Sequence, residues 1–164
     1  MFNKTLEYAK DKHEGQTRRG TGEPYIVHPI RVAKKALELN LSQEIVIAGL
    51  LHDVIEDTDS TFQEIYNIFG GDIVIIVKNL TSDEDMIKTL GKNDYLKFKM
   101  KNMDEESFIL KLIDRLDNIQ DNPREKYVKD TLNLMDYLIT NREITNSSYI
   151  IIKDIINSCE DFYN

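Results

Sequence analysis

Leu50-Leu51-His52-Asp53-Val54-Ile55-Glu56-Asp57 is the stretch on which the reading of this chain turns. Placed at 100° per residue, Val46, Ile47, Leu50, Leu51, Val54 and Ile55 form one broad apolar arc. His52, Asp53 and Glu56 fall together on the opposite arc, and Gly49 one turn earlier leaves room beside them. The spacing predicts a helix over 43–57, capped by Ser42 and followed by the acidic turn Asp57-Thr58-Asp59. An imidazole beside a carboxylate can bind a divalent cation, and a carboxylate one turn further on can orient the attacking water. The competing reading of such a short polar cluster is a solvated helix face, and spacing alone favours it. Glu56 and Asp57 lean the other way. They sit at the C-terminal end of the predicted helix, where the macrodipole disfavours negative charge and a nearby cation would offset that cost.

Working outward, the punctuation is helical. The three prolines, Pro24, Pro29 and Pro123, each fall beside an expected helix boundary. Residues 3–14 read as a first helix, 15–24 as a glycine-containing loop, and Pro29 as part of the first turn of a second helix running to about Asn40. Ser60-Thr61-Phe62-Gln63 resembles a capping box opening a fourth helix, which Gly70-Gly71 ends. Residues 72–80 are ambiguous: the β-branched run suits a buried strand, while the helical neighbours favour a core helix. Residues 81–93 read as a flexible polar loop. Helices are expected over 94–103, 105–120, 124–141 and 147–162. No repeat or domain-splitting linker is visible, so 1–164 is read as a single, compact, all-α domain.

Composition sets the outer bounds. Apolar residues make up 41% of the 164, enough for one core. The formal net charge of −8 argues against a nucleic-acid partner, since a groove tracking a phosphate backbone needs clustered Lys and Arg. It does not exclude a small anionic substrate, because a bound cation reverses the local field. The lone Cys159 can form no internal disulfide and reads as a buried or idle thiol. The absence of a membrane-length apolar run or a signal-like N-terminus gives the expectation of a soluble cytoplasmic protein with no membrane partner. The acidic tail helix, with Tyr149, Ile150, Ile151 and Ile155, either closes the core or pairs with another copy; the oligomeric state is not legible.

Further polar groups stand out. His28, in Tyr25-Ile26-Val27-His28-Pro29, is weak evidence taken alone, because a lone histidine beside a helix start is usually structural or exposed. Over 105–120, Phe108, Ile109, Leu112, Ile113, Leu116 and Ile119 make a core face, while Lys111, Asp114 and Asn118 form a polar ridge. Asp117 points off that ridge, which makes Asp114 the better ligand candidate, against the alternative of a plain surface Lys–Asp pair. Arg18 and Arg19 lie in the glycine-containing loop. Guanidinium groups chelate phosphate and stack on flat rings, which suits a nucleotide; a solvated basic turn fits the dipeptide equally well. His13 is expected to be exposed or to support the loop.

Taken in order, His13-Glu14-Gly15-Gln16-Thr17-Arg18-Arg19, Gly22-Glu23-Pro24-Tyr25-Ile26-Val27-His28-Pro29, Ala48-Gly49-Leu50-Leu51-His52-Asp53-Val54-Ile55-Glu56-Asp57-Thr58 and Lys111-Leu112-Ile113-Asp114-Arg115-Leu116-Asp117-Asn118 resemble the HD-domain hydrolases of the RelA/SpoT type, and among them the stand-alone small alarmone hydrolases. The resemblance implies an all-α fold and one ion, usually Mn²⁺, held by His28, His52, Asp53 and Asp114; the same ligands suit Fe²⁺ or Zn²⁺. It implies that Glu56 and Asp57 position or deprotonate the attacking water. By the same match Arg18 and Arg19 flank the guanine base and Asn118 touches base or ribose. The implied reaction removes pyrophosphate from the 3′ position of ppGpp or pppGpp, giving GDP or GTP. Related domains act on nucleoside monophosphates or on NADPH, and a non-catalytic nucleotide sensor is a third possibility of a different class. The chain departs from the family's pattern at Gln120, where an arginine is common, and at Met135, where a tyrosine is common.

Overall fold

The computed structural model describes residues 1–164, and its backbone forms two compact units, Met1–Thr81 and Ser82–Asn164. Both are helical. The one extended pairing is an isolated bridge between Thr17 and Pro24.

The first unit comprises α1 (Phe2–Lys12), α2 (Val27–Glu38), α3 (Gln43–Leu51), α4 (Val54–Asp57), α5 (Phe62–Phe69) and α6 (Gly71–Leu80). Its centre is α3, which packs against α1, α2 and α6. Every residue from Ile45 to Leu51 is buried, so the helix is enclosed on all sides. Ser42 caps it as expected, accepting a hydrogen bond from the Ile45 amide. The expected unbroken helix over 43–57 is corrected: it stops at Leu51 and resumes as α4 at Val54. The cause is local. His52 Nδ1 lies 2.8 Å from the carbonyl oxygen of Gly49, the acceptor that the Asp53 amide would use in a continuous helix. The imidazole competes for that acceptor, and the helix is interrupted at His52-Asp53 although both residues keep right-handed helical dihedrals.

The ambiguous stretch 72–80 is helical. Ile73, Val77 and Leu80, spaced at i, i+4 and i+7, are its buried positions. Thr61, one residue later than expected, caps α5 by accepting from the Glu64 amide. Ser60 is instead hydrogen-bonded to the Tyr8 hydroxyl at 3.0 Å. Gly70 ends α5 and opens α6 at φ 95° and ψ 173°, a conformation that residues with a Cβ rarely adopt.

The second unit comprises α7 (Glu84–Leu90), α8 (Lys92–Asn102), α9 (Glu105–Gln120), α10 (Glu125–Asn141) and α11 (Asn146–Asp161). Here α9 packs along α11, and α10 packs on α8 and α11. The α9 face expected from the sequence is buried throughout: Phe108, Ile109, Leu112, Ile113, Leu116 and Ile119. The tail helix closes this core with Ile151 and Ile155, while Tyr149 and Ile150 are exposed. Arg142 ties the ends of three helices together. Its guanidinium donates to the carbonyls of Met100 and Met103 and to Glu105, and lies over the Phe108 ring at 4.0 Å.

The expected loop over 81–93 is corrected to the short helix α7. The Asp83 carboxylate accepts from the amides of Asp85 and Met86 and so caps it. No residue of α7 is buried, which is why it carries no apolar period.

Candidate metal centre

Three of the expected ligands meet inside the first unit. His28 is the second residue of α2 and is brought in by the Pro29 turn; His52 and Asp53 occupy the break between α3 and α4. The two imidazoles are buried, at 1% and 2% exposure, so the solvated-face reading of His52 does not hold. Their Nε2 atoms face each other at 3.2 Å. Asp53 Oδ2 lies 3.0 Å from His52 Nε2 and 3.5 Å from His28 Nε2.

The tautomer of His52 follows from its partner. A carbonyl oxygen only accepts, so Nδ1 donates to Gly49 and Nε2 is the nitrogen that faces Asp53 and His28. A ring nitrogen and a carboxylate oxygen at this separation are held together by a positive charge between them, a proton or a metal ion. Two buried imidazole nitrogens and a carboxylate converging on one point are a donor set that fits a divalent cation, and His28 and His52 could hold one.

Tyr25 supports this centre, a role that no sequence signal assigned to it. Its hydroxyl donates to Asp53 Oδ2 at 2.7 Å, leaving that oxygen oriented toward the imidazoles. Burial, and then the negative charges of Asp53 and Asp57, raise the Tyr25 hydroxyl far above its ordinary value, so it stays a donor. The ring is flanked by the His13 ring, 4.8 Å away, and by the Arg18 guanidinium, 5.5 Å from its centroid.

His13 is buried and supports the loop: its Nδ1 is 2.8 Å from Gln16 Oε1, and Gln16 Nε2 donates to the Asp57 carbonyl at 2.7 Å. The loop is thereby tied to the end of α4. It is closed by the amide of Arg18 donating to Glu23 and that of Tyr25 to Gln16. Arg18 is half-buried, whereas Arg19, Glu56 and Asp57 are exposed. Arg18 is therefore fixed on the Tyr25 face and Arg19 is solvated.

In the second unit, Asp114 and Asn118 are together on α9. Lys111 Nζ is 2.9 Å from Asp114 Oδ2, and Asn118 Nδ2 donates to Asp114 Oδ1 at 2.7 Å. The polar ridge expected from the i, i+3, i+7 spacing is formed, with Asp114 as its hub. Asp117, half-buried, lies off it.

The HD domain family model matches residues 5–142, and the chain belongs to the HD-domain family. It is similar to the guanosine-3′,5′-bis(diphosphate) 3′-pyrophosphohydrolase of Aquifex aeolicus, with 39% identity over 141 residues, covering 81% of this chain and 20% of that protein. It is also similar to the guanosine-3′,5′-bis(diphosphate) 3′-pyrophosphohydrolase of Drosophila melanogaster, with 36% identity over 126 residues, covering 73% of this chain and 68% of that one. A solved structure of a metazoan ortholog of SpoT, described as hydrolysing ppGpp and acting in starvation responses, superposes with a TM-score of 0.80 at 26% identity, covering 95% of this chain and 93% of that chain. The chain spans about a fifth of the length of the bacterial relative. No helix is long and apolar enough to cross a membrane.

Proposed function

We propose that the protein is a metal-dependent hydrolase that removes pyrophosphate from the 3′ position of ppGpp or pppGpp. The observation that carries this is the pair of buried imidazole nitrogens 3.2 Å apart with the Asp53 carboxylate beside them. The names of the relatives supply the substrate class, and the family match, which runs across both units, supports reading 1–164 as one hydrolase domain.

In this reading His28, His52, Asp53 and Asp114 hold the ion, with Mn²⁺ the expected occupant and Fe²⁺ or Zn²⁺ the alternatives. When bound, the ion makes water nucleophilic near neutral pH and offsets charge on the phosphoryl group. Glu56 and Asp57, exposed at the end of α4, orient the attacking water and take its proton. Water oxygen bonds to the phosphorus attached at the 3′ position, the bond from that phosphorus to the ribose oxygen breaks, and the ribose oxygen is protonated. Arg18, stacked on Tyr25, presents a flat cationic face for the guanine ring, with Arg19 beside it. Asn118 contacts base or ribose.

The test is turnover of ppGpp by the Mn²⁺-loaded chain, followed as pyrophosphate release, alongside a nucleoside monophosphate and NADPH. Release from ppGpp, abolished together with metal binding in Asp53→Ala, is expected. Selective turnover of another nucleotide would replace the substrate and keep the site. Metal binding and nucleotide binding without any turnover would make the protein a sensor.

A further inference from the structure

Arg115, on α9, is 8% exposed. A guanidinium keeps its charge at every accessible pH, and burying one without a carboxylate partner is costly. Arg115 nevertheless makes one hydrogen bond, from Nη1 to Thr131 Oγ1 at 2.8 Å, and has no carboxylate in direct contact, the charge of Asp130 acting on it from further off. Its flat face is covered by the Tyr127 ring, 4.9 Å from the guanidinium carbon. Most of its donors are therefore unspent.

The same side chain lines a cavity of about 370 Å³ that lies wholly within the second unit, between α8 and α10. That volume falls in the ~300–1,000 Å³ range of small-molecule sites. Lys97 and Tyr137 line it as well, with the Lys97 ammonium 5.5 Å from the centre of the Tyr137 ring. Asp130 and Asp136 are also among its lining residues, and they differ. Asp130 is already engaged, by Lys126 at 2.7 Å and Asn93 at 3.1 Å. Asp136 is exposed, and its carboxylate has no protein partner.

An under-used buried cation in a cavity with an unpaired exposed carboxylate defines the charge of an occupant. A neutral molecule gives no return for burying Arg115. A phosphate dianion would meet both Asp130 and Asp136 in the same space. A molecule that carries both a carboxylate and an ammonium complements the two charges. We propose that this cavity binds a small zwitterion, an α-amino acid or close analogue, whose carboxylate is received by the open edge of Arg115 and whose ammonium faces Asp136. The reaction proposed above uses none of these residues, so the site is tested by binding alone.

The full-length chain is titrated calorimetrically with individual standard amino acids, with acetate and inorganic phosphate as controls, and its melting temperature is followed in parallel. At least one amino acid binds saturably and raises Tm, and acetate binds about tenfold more weakly or worse, since it cannot use Asp136. Arg115→Met removes the binding; because this position is buried, Asp136→Asn, at an exposed position, provides the second reading and weakens binding about tenfold or more while leaving Tm without ligand unchanged. The proposal is overturned if no amino acid binds. It is equally overturned if phosphate or acetate binds as tightly, or if a folded Arg115→Met or Asp136→Asn binds as the parent does.

Discussion

At the scale of single residues, the centre in the first unit is built by assigning each polar atom one task. Gly49 accepts from His52 Nδ1, which frees Nε2; Tyr25 donates to Asp53 Oδ2, which aims that carboxylate. Tyr25→Phe removes the second of these bonds while keeping the ring between His13 and Arg18. It should lower Mn²⁺ affinity about 10–100-fold, as losses of ligand-orienting partners do, measured by metal titration of the refolded apo-protein. Unchanged affinity would show that Asp53 needs no such support. Glu56 is not among the proposed ligands. Glu56→Gln should retain metal and lose about 10²–10⁴-fold in kcat, the usual contribution of a positioned acid–base group. Loss of metal in that variant would instead make Glu56 a ligand. The His52-Asp53 pair and the Asp114 ridge are legible in the sequence because their neighbours repeat at helical spacing. The Tyr25–Asp53 bond is not, because it joins positions 28 residues apart whose approach only folding creates.

At the scale of elements, burial decides which helices can be read from their pattern. Over 105–120 one face is buried and the other polar, so the period is clear and the boundaries agree with the structure. In α3 every side from Ile45 onward is buried, so the apolar arc marks a helix without revealing that it is central. For α7 the opposite holds: none of its residues is fully buried, and its cap marks where it begins. Asp83→Ala should therefore cost about 1 kcal/mol locally. Amide exchange at Asp85 and Met86 should accelerate several-fold, while the melting temperature of the whole chain hardly moves. A large fall in Tm would mean that α7 is coupled to a core, contrary to its exposure. The break after α3 belongs at this scale too. A helical wheel treats 43–57 as continuous and cannot register an imidazole competing for a backbone acceptor where α3 gives way to α4.

At the scale of the whole molecule, Cys159 offers a probe of integrity. It is fully buried on α11, and burial pushes its thiol up to about 11. A thiol reagent near neutral pH should leave it unmodified in the native protein and label it at a rate that tracks unfolding through a denaturant series. Rapid labelling without denaturant would show that α11 opens on its own. The sequence by itself determined the helical class and the buried face of α9, since each depends on residue type and spacing within one short segment; the proposed ligands came only from the resemblance of several motifs, taken in order, to a family. Only the tertiary structure decided that His28 faces His52, that Tyr25 steers Asp53, and that Arg115 is buried beside a cavity without a direct ion pair. Those are meetings of side chains carried on different elements, and a local pattern holds no information about distances that arise when elements pack.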